Sequence, residues 1–107
     1  MRGGRGTALR IAFVLHSRVY REIVWTESSE AHVDRHSVRA SEVEDAVNGR
    51  PVLSLRGRGA ATEIFGTTAG GRHLVVILSP ALDGRWYVVT ARDMTDNERR
   101  AFRRKGR

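Results

Sequence analysis

Arginine and histidine side chains recur where the sequence predicts a turn or the end of a helix. Arg72 follows a Gly-Gly turn, Arg92 ends a Thr-Ala-Arg segment, and His36 lies at the end of a helical pattern. A guanidinium group binds two phosphate oxygens at once, and an imidazole titrates near neutral pH. The three residues together predict chemistry on a phosphate ester, with charge stabilised by Arg72 and Arg92 and protons moved by His36. We expect the guanidinium groups to share one hollow at the rim of a sheet.

Three further arginines and one tryptophan are candidates for contacts along a nucleic-acid strand. Arg56 and Arg58 belong to an alternating strand pattern, and Arg85 and Trp86 follow an Asp-Gly turn. Arginines neutralise phosphates, and an indole ring can stack on a base. The alternative for each arginine is an ordinary surface position, and for Trp86 it is a place in the core.

The remaining titratable residues allow several roles. His32 lies four residues before His36 on the same helical face, a spacing that suits a metal ion. No third ligand has a matching spacing, so no metal is predicted, and a structural bond to the sheet or helix end is the alternative for His32. His73, beside Arg72, is a lesser candidate for proton transfer. Glu98 is expected to serve only as a helix cap.

Composition narrows the class of protein. The chain has 19 Lys and Arg against 12 Asp and Glu, a net charge of +7 that favours phosphates or an acidic protein as partner. The absence of Cys excludes disulfides, thiolate nucleophiles and Cys-ligated zinc. A chain of 107 residues supports one domain. No apolar run approaches the roughly 20 residues of a membrane span. We expect a cytoplasmic protein with no membrane partner and no cofactor.

Helix caps and turn residues outline the elements. Thr26 predicts a helix that ends near Ser37, Ser41 with Glu44 predicts a second, and Thr95 with Glu98 predicts a third. A short strand is expected at residues 23–25, before the helices. Strand patterns then occupy residues 52–58, 62–67, 73–78 and 85–91, separated by turn residues at 69–71 and 83–84. We therefore expect an α+β fold with two N-terminal helices, a four-stranded antiparallel meander and a C-terminal helix.

The N-terminal residues fit this domain poorly. Residues 1–8 are rich in Gly and Arg and have no periodic apolar pattern. Val19, at the start of the domain, is an alternative site for the start of translation. We expect residues 1–18 to be a disordered or mis-annotated extension and residues 19–107 to be the single domain. The alternative is that the apolar residues 9–15 add a strand to the sheet edge.

Several of these motifs occur in the order typical of one family. The chain resembles the BrnT family, small toxins of bacterial type II toxin–antitoxin systems that are related in fold to RelE-type ribonucleases. The resemblance covers about residues 20–104. It is carried by Trp25, Ala31-His-Val-Asp-Arg-His36, Glu42-Val-Glu44, Gly66-Thr-Thr-Ala-Gly-Gly-Arg72 and Thr90-Ala-Arg-Asp-Met-Thr95 with Glu98 and Arg99.

The resemblance implies a RelE-like fold and a metal-independent ribonuclease that cleaves RNA and inhibits translation. It also implies a cognate antitoxin encoded next door, a small DNA-binding protein that forms a hetero-oligomer with the toxin. His36, Arg72 and Arg92 fall on family motifs. Ser37 stands where the family usually has Gly, and Asp93 stands where many members have a basic residue. The alternative is a non-catalytic RNA- or antitoxin-binding module of the same fold; a DNA-binding regulator is weaker, because no helix-turn-helix pattern appears.

Overall fold

The computed structural model describes residues 20–105, which form three helices and five strands. In chain order these are β1 (Ile23–Val24), α1 (Glu27–Asp34), α2 (Ala40–Asn48), β2 (Leu53–Arg56), β3 (Thr62–Thr67), β4 (His73–Pro80), β5 (Trp86–Asp93) and α3 (Asp96–Lys105). The predicted α+β class is confirmed. The expected extension at residues 1–18 lies outside the described residues. None of the described helices combines the length and apolar character needed to cross a membrane.

The strands form one mixed sheet in the order β1-β5-β4-β3-β2. Neighbours from β2 to β5 are antiparallel, and β1 runs parallel to β5, with Ile23 opposite Trp86 and Val24 opposite Tyr87. The sheet therefore has five strands rather than the four of the expected meander. Pairing between β1 and β5 joins residues more than sixty positions apart. A local sequence pattern cannot predict which strand β1 pairs with.

Apolar side chains fill two layers, one on each face of the sheet. Along β4, Leu74, Val76 and Leu78 belong to the larger core with α1 and α2. Val75 alternates with them and packs on the other face in a smaller cluster that includes Phe102 of α3. Because β4 is apolar on both faces, it lies inside the sheet, as its nearly continuous apolar pattern predicts.

The helix starts agree with the predicted caps in two of three cases. Thr26 caps α1 by accepting from Ser29 N at 3.0 Å, and Thr95 begins α3 by accepting from Glu98 N at 3.1 Å. The predicted start of α2 at Ser41 is wrong. The helix begins at Ala40, and the carboxylate of Glu42 accepts from Arg39 N at 3.0 Å. The Glu at the third helical position is therefore Glu42 rather than Glu44.

The end of α1 uses a left-handed residue other than glycine. Ser37 has φ of 59°, within the region that L-residues other than Gly adopt at a cost. Ser37 N donates to Asp34 O at 2.9 Å, and Val38 N donates to Val33 O at 3.1 Å. These two bonds form a Schellman motif, which satisfies carbonyls at the helix end and turns buried Val38 into the core. The helix stop predicted near Ser37 is confirmed.

Helix α2 crosses β3 at very close range. A Cβ atom at Gly66 would overlap the carbonyl oxygen of Ala46 in α2. Ala46 itself is fully buried. The glycine therefore lets α2 approach the sheet, because any Cβ at this position requires the backbone to move.

The connection between β4 and β5 is longer than the predicted two-residue turn. Residues 81–85 form the loop, closed by Ala81 N donating to Arg85 O at 2.8 Å. Gly84 has φ of 89°, so the Asp-Gly pair still supplies the left-handed residue of the turn.

Candidate functional site

Three of the predicted site residues collect at one end of the sheet, where β4 begins and β5 ends. Arg72 immediately precedes β4, and Arg92 lies near the end of β5 opposite Val75. His36 is at the end of α1, next to Ser37, whose carbonyl oxygen accepts from Arg72 Nη1 at 2.7 Å. We call this region the Arg72 end of the sheet.

The guanidinium of Arg72 is occupied by protein oxygens. Its Nε and Nη2 donate to the two carboxylate oxygens of Asp93 at 2.7 and 3.0 Å. Its Nη1 donates to Ser37 O and, at 3.1 Å, to Glu42. The hydrogen bond to Asp93 raises the pKa of Arg72, and its reciprocal effect lowers the pKa of Asp93. Arg72 thus ties the end of α1 and the start of α2 to β5.

Arg92 is held in a similar way by Glu98. Its Nη1 and Nη2 donate to the two carboxylate oxygens at 2.7 and 2.9 Å, and Nη1 also reaches Asp93 O at 3.0 Å. The bond from Arg92, with the cap bonds to Thr95, lowers the pKa of Glu98 to about 2. The expectation that Glu98 serves only a helix cap is therefore incomplete, because the same carboxylate accepts from Thr95 N at 2.9 Å and binds Arg92.

Arg72 and Arg92 do not share a hollow. Consecutive residues of a strand project to opposite faces. Arg92 pairs with Val75 on the α3 face, whereas Asp93, which binds Arg72, pairs with Leu74 on the face covered by α1 and α2. The expected gathering of these two guanidinium groups around one phosphate is thus not formed, because β5 separates them. Their catalytic role stays a prediction.

His32 of α1 and His36, two residues after the helix, are adjacent, with ring centroids 5.7 Å apart. His32 Nε2 lies 3.2 Å from the hydroxyl of Thr90 on β5, in agreement with the structural alternative for His32. The side chain of His36 is exposed, and its role in proton transfer stays a prediction. Among residues 20–105, no three His, Cys, Asp or Glu side chains are grouped to hold a metal ion.

The predicted nucleic-acid contacts lie at the opposite end of the sheet. Arg85 is the last residue of the loop before β5, and Trp86 starts β5, six residues before Arg92, a separation of about 20 Å along a strand. Arg56 pairs with Thr62 near the same end, and both Arg56 and Arg58 are exposed. Arg85 binds Asp83 within its own loop at 2.8 Å. The predicted contact set and the predicted catalytic set are thus two separate groups.

Trp86 is packed rather than open. Its ring contacts the larger core, and the guanidinium of Arg21 lies 5.6 Å from the ring centroid. Trp25 also packs on this core, and its Nε1 donates to Glu44 at 2.7 Å. Both indoles therefore agree with the alternative of a core position, with one face of Trp86 covered by a cation.

The arginines of α3 are not among the predicted catalytic or contact residues, and His73 is only a lesser candidate. Arg99 and Arg103 lie one turn apart on this helix, and their charges act on His73, which begins β4. The edge of the Phe102 ring packs against the His73 ring, with centroids 5.9 Å apart. The signal in the sequence was the spacing of Arg99 and Arg103 around Phe102, but only the fold brings His73 to them.

No family model, curated protein or solved structure matches this chain. The fold and the site define a small α+β domain with a mixed five-stranded sheet in the described residues. The resemblance to BrnT proteins rests on the motifs quoted above.

Proposed function

We propose that this chain is the toxin of a type II toxin–antitoxin system, a metal-independent ribonuclease with a RelE-like arrangement that cleaves RNA and inhibits translation. The observation that carries the proposal is the basic outer side of α3 beside the Arg72 end. This helix buries Phe102 and presents five cations, Arg99, Arg100, Arg103, Arg104 and Lys105. A helix of this kind suits the phosphates of a nucleic acid.

Most of these cations remain available to a ligand. Arg99 binds Asp96, and Arg100 bonds to the uncharged Asn97. Within residues 20–105, no carboxylate forms an ion pair with Arg103, Arg104 or Lys105. Arg72, Arg92 and Arg85 differ from them, because each already holds a carboxylate of the protein. The outer side of α3 thus offers the strongest uncompensated positive charge among the described arginine clusters.

The chemistry of the substrate supports RNA over DNA. The ribose 2′-hydroxyl is an internal nucleophile, so cleavage needs a base, an acid and charge stabilisation but no metal. The same positive side of α3 suits an acidic antitoxin, since a partner that covers it would block access to RNA. We therefore propose a small DNA-binding antitoxin, encoded next door, as the second partner and a hetero-oligomer as the resting form.

A second candidate is a non-catalytic module that binds RNA or the antitoxin without cleavage. The observation that favours it is the bidentate hydrogen bonding of Arg72 to Asp93 and of Arg92 to Glu98. A guanidinium held in this way donates less readily to a phosphorane than a free one does. Both candidate functions use the basic surface of α3, but only the first includes cleavage of RNA.

Induced expression in a bacterial host without any partner tests the proposal. We expect growth arrest and loss of intact mRNA, relieved by co-expression of the neighbouring gene. The double variant Arg103→Gln/Arg104→Gln should restore growth, whereas Arg50→Gln, which removes an exposed charge elsewhere, should remain toxic. Normal growth with intact RNA would reject the ribonuclease, and RNA binding by the purified chain would then support the second candidate.

A further inference from the structure

His73 lies on the α3 face of the sheet, at the start of its central strand. Its ring packs against Phe102 of α3, and its carbonyl oxygen accepts from Met94 N at 3.0 Å. Neither ring nitrogen of His73 forms a hydrogen bond with another group in residues 20–105. The ring is half-buried beside Phe102, and its nitrogens have no hydrogen-bond partner in the described chain.

Two arginines of α3 lie close enough to this imidazole for their charges to act on it. Arg99 and Arg103 are four residues apart, so they lie on the same side of α3, one turn from each other. Arg99 Nη1 donates to Met94 O at 3.3 Å, which places its guanidinium beside the backbone that bonds to His73. Arg103 is exposed and forms no ion pair with the described chain. An anion between the two arginines would therefore lie next to the imidazole.

The surroundings favour the uncharged form of the imidazole. Burial, together with the charges of Arg103 and Arg99, lowers the pKa of His73 below its ordinary value of 6.5. The strand neighbours of His73 are Thr67 on β3 and Met94 after β5, and neither titrates. On the same face, β5 and α3 also carry two ion pairs, Arg92 with Glu98 and Arg99 with Asp96. At neutral pH the ring is thus unprotonated and can accept a proton beside two guanidinium groups, that of Arg103, which has no carboxylate partner in the described chain, and that of Arg99, which also binds Asp96.

We propose that His73, Arg99 and Arg103 form the reacting site for RNA, with His73 as the proton acceptor and the two arginines holding the phosphodiester. The inference rests on the proposed function and assigns that function to different residues from Arg72, Arg92 and His36. The ring nitrogen takes the proton of the 2′-hydroxyl while O2′ forms a bond to phosphorus. The bond from phosphorus to O5′ breaks, and O5′ takes a proton from water. The products are a 2′,3′-cyclic phosphate and a 5′-hydroxyl end, with no change in oxidation state.

Single-turnover cleavage of an RNA oligonucleotide by the purified full chain tests this site. His73→Gln should reduce the rate about 100-fold or more, the usual contribution of general acid–base catalysis. Its affinity for the matching 2′-deoxy oligonucleotide, which cannot react, should stay within about twofold of wild type, because an uncharged side chain replaces an uncharged ring. Arg103→Gln should weaken that affinity, and Arg50→Gln serves as the charge control for it.

The pH profile supplies a readout that a structural role would not move. The wild-type rate should fall with an acidic limb below pH 6.5, and this limb should disappear in His73→Gln. The His73 ring resonance should also shift when the 2′-deoxy oligonucleotide is added, whether or not the chain cleaves RNA. Melting temperatures identify any variant that fails to fold.

The outcomes separate this site from the function itself. If wild type cleaves RNA and a folded His73→Gln variant cleaves equally fast, the site is wrong while the ribonuclease stands. If wild type does not cleave RNA, the ribonuclease and the base role both fail. A shifted His73 resonance would then retain only the phosphate-binding part of the proposal, and an unmoved one would remove that as well.

Discussion

Arg72 and Asp93 join the start of β4 to the end of β5 through two parallel hydrogen bonds of 2.7 and 3.0 Å. The same guanidinium also bonds to Ser37 O and Glu42, so one side chain connects four segments. Arg72→Ala should reduce the free energy of unfolding by about 2 kcal/mol, because several oxygens lose their donor. Asp93→Ala should cost about 1 kcal/mol or less, since the aspartate is largely exposed and Arg72 keeps its other partners.

Urea denaturation of both single variants and of the double variant measures this coupling. The double variant should be less destabilised than the sum of the single variants, because both remove the same pair. Additive losses would show that Arg72 and Asp93 contribute independently. Arg85→Ala, at the exposed pair with Asp83, is the control and should leave the midpoint unchanged.

Ser37 offers a position where a glycine should stabilise the protein. Its φ of 59° costs a serine about 1–2 kcal/mol, whereas glycine adopts it freely but loses more entropy on folding. Ser37→Gly should therefore raise the free energy of unfolding by about 0.5–1 kcal/mol. Ser28→Gly, the same change inside α1, should lower it by a similar amount. An equal loss at both positions would contradict the strain at Ser37.

The stability contributed by Glu98 should depend on pH in a defined window. Arg92 and the cap bonds lower the pKa of Glu98 from 4.5 to about 2, so in this range the unfolded state binds more protons than the folded state. The contribution is complete above pH 4.5 and is lost as the pH falls towards 2. Glu98→Gln should be less stable than wild type by about 1 kcal/mol at neutral pH. Thermal unfolding from pH 7 to 2 should show this difference shrinking; a constant difference would contradict it.

Gly66 should tolerate no side chain. In Gly66→Ala the new Cβ overlaps the carbonyl oxygen of Ala46, so α2 must move away from β3 and loosen the larger core. We expect a loss of about 3 kcal/mol or more, measured by chemical denaturation. Gly70→Ala is the matched control, because the nearest atom to its Cβ is the Thr68 hydroxyl at 3.9 Å. Near-wild-type stability of Gly66→Ala would place α2 farther from the sheet.

Arg92 can be tested for a role in toxicity apart from its role in the fold. The sequence predicts that Arg92→Ala abolishes growth arrest while the melting temperature stays within a few degrees of wild type. Glu98→Ala is the informative companion, because it breaks the same ion pair but leaves the guanidinium in place. If only Arg92→Ala loses toxicity, the guanidinium itself acts on RNA. If both variants lose toxicity and stability equally, Arg92 serves the attachment of α3.

Local signals predicted the elements, and errors arose where two signals competed. Thr95 with Glu98 and Thr26 marked true helix starts, because a cap is completed within three residues. Ser41 and Glu44 have the same Ser/Thr-x-x-Glu spacing, which predicted a cap at Ser41. The Glu44 carboxylate instead accepts a hydrogen bond from the Trp25 indole. Glu42 serves as the cap in its place. The Ser-x-x-Glu pattern therefore misplaced the cap, and Glu44 forms a tertiary contact nineteen residues away.

The candidate site was harder to predict, because each pair in it joins distant parts of the chain. Arg72 and Asp93 are 21 residues apart, and sequence alone counted Asp93 only as a loss of positive charge. The strand pattern did contain the information that Arg92 and Asp93 face opposite sides. It did not reveal which helix covers each side, and so the separation of the two guanidinium groups became visible only in the fold.

The placement of the two indoles has a practical consequence for spectroscopy. Trp25 and Trp86 both pack on the core beneath α1 and α2, while the cluster beneath α3 contains no tryptophan. Tryptophan fluorescence therefore reports on the core beneath α1 and α2 and does not detect detachment of α3. Far-ultraviolet circular dichroism recorded in parallel would detect that detachment as an early, fluorescence-silent loss of ellipticity. An experimenter who relied on emission alone would mistake a partly opened molecule for an intact one.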